Sequence, residues 1–150
     1  MKKPRAVAGS VVLVPLAPGG FAVGVVIHTT GKGCCVGAFF GPRVRSASEV
    51  DIGGLRLEDA VWVCQFGDYG IHNSLWPVIG AIPNWASAPW SVTRFARGHD
   101  DPTLCYITEY DNVLNVKSDR VAPASEGREL PEDMSYGSGN VEKRLAKLLP

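Results

Sequence analysis

The stretch "SVVLVPLAPGGFAVGVVIHTTGKGCCVGAFFG", residues 10–41, decides the fold. It contains three apolar, β-branched or aromatic runs of strand length: SVVLVPL (10–16), FAVGVVIH (21–28) and GCCVGAFFG (33–41). APGG and TTGKG separate them, and both supply the Gly, Pro and Thr that turns use. Parallel neighbours would need a crossover of about a dozen residues or more, so connectors this short predict an antiparallel meander. Gly24 and Gly37 fall inside the second and third runs, where glycine marks a bulge or a sharp bend. The expectation is a small, strongly bent antiparallel sheet or partial barrel.

Further along the chain, residues 42–59 are polar and irregular, with a short helical turn predicted at LEDA, and AVWVCQFG (60–67) reads as a fourth strand of the same sheet. DYGIHNSL is expected to be a loop. In SLWPVIGAIP (74–83) proline follows tryptophan directly. Pro77 has no amide hydrogen, so it suits the start of a strand or an edge, and it biases Trp76 toward extended geometry. PVIGAI is then a short strand that Pro83 ends, with Trp76 lying over the sheet as a lid on the core. SVTRFAR, TLCYITEY and NVLNVKS read as later strands, the last two joined by a hairpin turn at EYDN. Residues 119–139 read as a surface excursion. From Asn140, a good N-cap, VEKRLAKLL places Val141, Leu145 and Leu148 on one helical face. A helix this short is marginal alone and must dock on the sheet.

The fold class expected is therefore α+β, mostly antiparallel β with a C-terminal helix at 140–149. The 150 residues are expected to form a single domain, with residues 1–8 as a flexible N-terminus. Hydrophobic residues at 45% and charged residues at 20% are ordinary globular values, which excludes a disordered or fibrous chain. No run approaches the roughly 18 apolar residues of a membrane span. The basic start followed by an apolar stretch has the outline of an export signal, but Gly9-Ser10 and Pro15 interrupt it, so cytoplasmic residence is the expectation.

Few residues suggest chemistry. The four cysteines, Cys34, Cys35, Cys64 and Cys105, include no Cys-x-x-Cys pair. Adjacent strand residues point to opposite faces, so Cys34 and Cys35 cannot share one metal. They read as free thiols, with the buried ones acting as small hydrophobes. His28, His72 and His99 have no ligand or nucleophile-pair spacing. No metal, cofactor or catalytic residue is predicted. Lys2, Lys3 and Arg5 form a small basic cluster, and Arg94 and Arg97 bracket Phe95, but the zero net charge argues against nucleic acid as partner. The charge is nonetheless uneven. Residues 98–133 hold nine acids against three bases, a net −6, and the remainder is +6. An acidic surface of this kind complements a basic partner.

Taken together, GSVVLVPLAPGGFAVGVVI, VGAFFG, GDYGIHNSLWPVIG and the terminal VEKRLAKLL make the chain resemble the immunity protein 26 family of bacterial polymorphic toxin systems, over roughly residues 9–149. Trp76, Pro77, Ile79 and Gly80 are the distinctive element of that likeness. The resemblance implies an α+β domain that binds its cognate toxin in the producing cell and blocks it without catalysis. It carries over no catalytic or cofactor residue, and it makes Trp76, Pro77, Ile79 and Gly80 structural. From the charge pattern, Asp100, Asp101, Glu109 and Asp111 are the candidate toxin-binding residues, which would suit a basic nuclease. An alternative is a small β-barrel module that recognises a peptide or nucleic acid unrelated to toxins. A cysteine- or histidine-dependent enzyme is the third reading, without an activated-nucleophile pattern to support it.

Overall fold

A computed structural model describes residues 3–150 of the chain; residues 1–2, the first part of the expected flexible N-terminus, lie outside the described residues. The elements are β1 (Ser10–Pro15), β2 (Phe21–Thr29), β3 (Cys34–Val44), β4 (Trp62–Gly67), α1 (Tyr69–His72), β5 (Val78–Ala81), β6 (Arg94–Arg97), β7 (Leu104–Tyr110), β8 (Val116–Pro123), α2 (Ala124–Gly127), β9 (Ser135–Tyr136) and α3 (Ser138–Leu148). The fold class is α+β and mostly antiparallel, as the sequence predicts. Six strands form one sheet in the order β5-β1-β2-β3-β4-β9, and three form a second in the order β6-β7-β8. The larger sheet is open, with β5 and β9 at its edges. All its pairings are antiparallel except β4 with β9.

The meander runs through the middle of the larger sheet, and both faces are covered. Along β1, Val12 and Val14 join one core cluster while Val11 and Leu13 join the other. The same alternation sends Ala22 and Val26 one way and Val23, Val25 and Ile27 the other. Two buried faces explain why these strands read as near-continuous apolar runs rather than alternating ones. The apolar stretch with the outline of an export signal is β1, hydrogen-bonded between β2 and β5.

One face packs against Trp76, Ile71 and the Val141, Leu145 and Leu149 side chains at the C-terminal end. The other packs against Trp90 and Phe95, with Val50, Ile52, Leu55 and Leu57 from the long connection after β3. That connection contains three single 3₁₀ turns, including Leu57–Asp59 at the predicted LEDA turn. Gly24 and Gly37 make room for the Phe39 ring: a Cβ on either would lie 3.0 Å from it, and one on Gly37 would lie 2.7 Å from Phe66. The β2–β3 register shifts flank Gly24, between Phe21 and Val23 and between Val26 and His28.

Of NVLNVKS only the last three residues are strand, and Leu148 is exposed while Leu149 is buried in its place; three further segments differ from the sequence reading. DYGIHNSL contains α1, whose Gly70 amide donates to the Ser138 hydroxyl at 2.9 Å. The surface excursion predicted at 119–139 begins with the second half of β8 and also contains α2 and β9. The C-terminal helix starts at Ser138, with Gly137 rather than Asn140 at the cap, and the Asn140 and Val141 amides bond to the Gly137 carbonyl. For α1, β9 and residues 131–133 the partners are distant in the chain, which sequence pattern does not register. The Ala96 amide bonds to the Pro131 carbonyl and the Asp133 amide to the Ala96 carbonyl, which fastens residues 131–133 alongside β6.

Candidate functional site

Trp76 lies inside the core. Its indole is 1% exposed, 5.5 Å from the Phe66 ring and edge-on to Phe39 at 6.2 Å. The indole N–H donates to Glu142 Oε2 at 2.9 Å. Pro77 leads into edge strand β5, and its carbonyl accepts the Leu13 amide at 2.9 Å. Ile79 packs against the second core cluster, and a Cβ on Gly80 would lie 2.8 Å from Ile52 Cδ1. Pro77 is exposed, but the Trp76 and Ile79 side chains and the Gly80 backbone face neighbours, so this element offers little for a partner to hold.

Three of the four thiols are buried, and each imidazole has a backbone partner. Cys35 and Cys64 are buried; burial pushes the Cys35 thiol up to about 12 and raises that of Cys64 as well. Both are therefore held away from the thiolate that a nucleophile requires. Cys34 is exposed on the opposite face from Cys35, as adjacent strand residues must be. Cys105 is buried, with its Sγ donating to the Pro123 carbonyl at 3.4 Å. His28 is buried and its Nε2 accepts the Val92 amide at 3.2 Å. His72 Nδ1 meets the Pro4 carbonyl at 3.3 Å, and His99 Nε2 meets the Leu130 carbonyl at 3.1 Å. Among the described residues no three His, Cys, Asp or Glu side chains could hold a metal ion, and no helix is long and apolar enough to cross a membrane. Lys2 lies outside the described residues. Phe95, between Arg94 and Arg97, is fully buried and cannot serve as a stacking platform for a base.

The acidic residues belong to the β6-β7-β8 sheet, but not as one cluster. Asp100 and Asp101 sit in the turn before β7, while Glu109 and Asp111 lie at its far end. A seven-residue strand separates the two pairs by roughly 20 Å. Asp101 Oδ1 accepts the Leu104 amide at 3.0 Å and the Thr103 amide and hydroxyl at 2.7 and 2.9 Å. Asp111 Oδ1 accepts the Asn115 and Val113 amides, each at 2.9 Å. These donors hold both carboxyls below the ordinary range, so both stay ionised while they build turns. Glu109 faces Lys117 at 3.6 Å. Asp100 alone of the four has no hydrogen-bond or ion-pair partner among the described residues.

The sequence reading passed over a second feature of the same sheet. Residues opposite one another in an antiparallel pair share a face. Tyr106 lies opposite both Arg97 and Val121, and Leu104 lies opposite Pro123. Leu104, Tyr106 and Val121 are 51, 49 and 55% exposed, and together they form one apolar patch. The Arg97 guanidinium lies 5.3 Å from the Tyr106 ring centre and is held by Asp119 at 3.3 Å and Asp133 at 3.4 Å. Further along the same face Phe95 and Thr108, opposite one another, are buried, so the patch is the exposed end of that face; the opposite face buries Ala96, Cys105, Ile107 and Ala122 with Leu130. The unbroken LCYI run was the available signal, because a strand apolar on both sides needs both sides covered. Beneath this sheet, a recess of about 120 Å³ lies beside His99, Asp100, Cys105 and Arg128. Drug-sized ligands occupy roughly 300–1,000 Å³, so this one is too small for them.

A family model described as Immunity protein 26 matches residues 7–101. The match contains the meander, the Trp76 element, β6 and Asp100–Asp101; it stops before β7 and does not include the terminal VEKRLAKLL, which the sequence likeness had counted. No curated protein and no solved structure matches the chain.

Proposed function

The chain belongs to the immunity protein 26 family, and from that premise we propose that it binds a cognate bacterial toxin in the cytoplasm of the producing cell and neutralises it by occlusion, without catalysis. The observation that carries the reading is the family match over residues 7–101, which hold five of the six strands of the larger sheet. The chemistry of the site is consistent with it. The buried thiols are held protonated, and each imidazole has a backbone partner. The toxin belongs to a polymorphic toxin system and carries a basic surface, as a nuclease does. The acids of residues 98–133, with Asp100, Asp101, Glu109 and Asp111 among them, supply long-range attraction that speeds encounter. Because Asp101 and Asp111 are committed to turns, their contribution is field rather than direct hydrogen bonding.

Co-expression tests this. Cells producing the toxin domain encoded beside this chain should survive when the chain is present and die when it is absent. Equal killing in both cases would remove the proposal.

A further inference from the structure

We propose that the exposed end of the β6-β7-β8 sheet, centred on Leu104, Tyr106 and Val121, is the docking surface, and that its occupant is a basic toxin domain presenting an apolar centre ringed by lysine or arginine. This rests on the toxin-neutralising reading above and adds the surface that performs it.

Single exposed apolar side chains are unremarkable, whereas contiguous ones on one sheet face mark interaction sites. Leu104, Tyr106 and Val121 are contiguous by register, and each is about half exposed. Tyr and Arg are the side chains that most often dominate binding, and here Arg97 is already fixed over Tyr106 by Asp119 and Asp133. A partner closing over them therefore orders little that is not already ordered.

The charge around the patch defines the occupant. Lys117 is paired with Glu109 and Arg120 with Glu126, so two of the segment's three bases are neutralised locally. Asp119 and Asp133 in turn neutralise only the single charge of Arg97. Asp100 and Asp101 at the Leu104 end remain uncompensated by any ion pair among the described residues. The rim is therefore acidic around an apolar centre, the layout that suits a basic partner. The free edge of β8 carries Lys117, Asp119 and Arg120, charges of the kind that blunt pairing along a sheet edge. The face is thus the better docking element.

The experiment measures the affinity of the full chain for the toxin domain encoded beside it, in a catalytically inactive form. Tyr106→Ala, Val121→Ser and, as a surface control, Tyr69→Ala are compared with the parent. Tyr69 is 64% exposed and lies in α1, away from this sheet. Each of the two face variants should weaken binding about 30-fold or more with an unchanged melting temperature, and the control should bind like the parent. If the parent protects cells and both face variants bind as tightly as it does, this surface is wrong and the toxin-neutralising reading stands. If the parent neither binds nor protects, both fall. A homodimer of the chain that the same variants disrupt would also overturn the proposal, because the face would then belong to a second copy.

Discussion

Trp76 and Glu142, sixty-six positions apart, are joined by a 2.9 Å hydrogen bond from the indole N–H to the carboxylate. The bond ties Trp76, inside the matched segment, to a helix that lies outside it. Trp76→Ala should therefore cost about 3–5 kcal/mol, the range for deleting a buried aromatic. Glu142→Leu, which leaves a buried donor without a partner, should cost roughly 1–3 kcal/mol, and Glu142→Gln should recover most of that. Urea denaturation followed by tryptophan fluorescence measures all three.

Gly70 lies against the same indole. A Cβ there would sit 2.7 Å from Trp76 Nε1, so Gly70→Ala forces the ring or α1 to move. Overpacking of this kind costs typically 1–3 kcal/mol. The substitution should lower the urea midpoint and alter the near-ultraviolet dichroism of the tryptophans. An unchanged spectrum would place the ring elsewhere.

Arg43 performs a second long-range fastening. Its guanidinium donates to the carbonyls of Ala17 and Gly19 at 2.8 Å, and to those of Ala146 and Leu149 at 3.1 Å. The β1–β2 turn and the last turn of α3 are thereby held by one side chain. Arg43→Met should cost about 1.5–3 kcal/mol. Arg43→Lys should recover little, because an ammonium cannot fork across four carbonyls. Hydrogen exchange should show faster amides near residues 145–149 in both variants.

His28 makes stability depend on pH. Its buried Nε2 accepts the Val92 amide, and burial lowers its pKa below the ordinary 6.5. The folded state therefore binds fewer protons than the unfolded state. The stabilisation is fully present above pH 6.5 and is lost as pH falls below it toward the lowered folded value. The melting temperature should fall between pH 7 and pH 5, and His28→Gln should flatten that part of the profile.

The meander, the β1–β4 order and the terminal helix were legible in the sequence because local period and turn chemistry determine them. Cys34 and Cys35 pointing apart follows from the pleat alone. The division into two sheets was not legible, since residues 131–133 and β9 find partners far back in the chain. The acids show the limit most clearly. Asp101 and Asp111 read as free surface charge, yet both anchor turns; Asp as a side-chain mimic of a backbone turn was the available signal. Reversing either to lysine would disrupt a loop as well as a field. Asp100→Lys is the cleaner test: it should slow toxin association severalfold and reduce its salt dependence, with no change in melting temperature.

The most direct measurement of the central claim is a titration of the chain into a fixed amount of active toxin, with residual toxin activity read over time. Occlusion predicts that inhibition is complete at a simple fixed stoichiometry and does not deepen on longer incubation. Progressive loss of activity from a large excess of toxin would show turnover and contradict the account, as would full activity in the presence of excess chain.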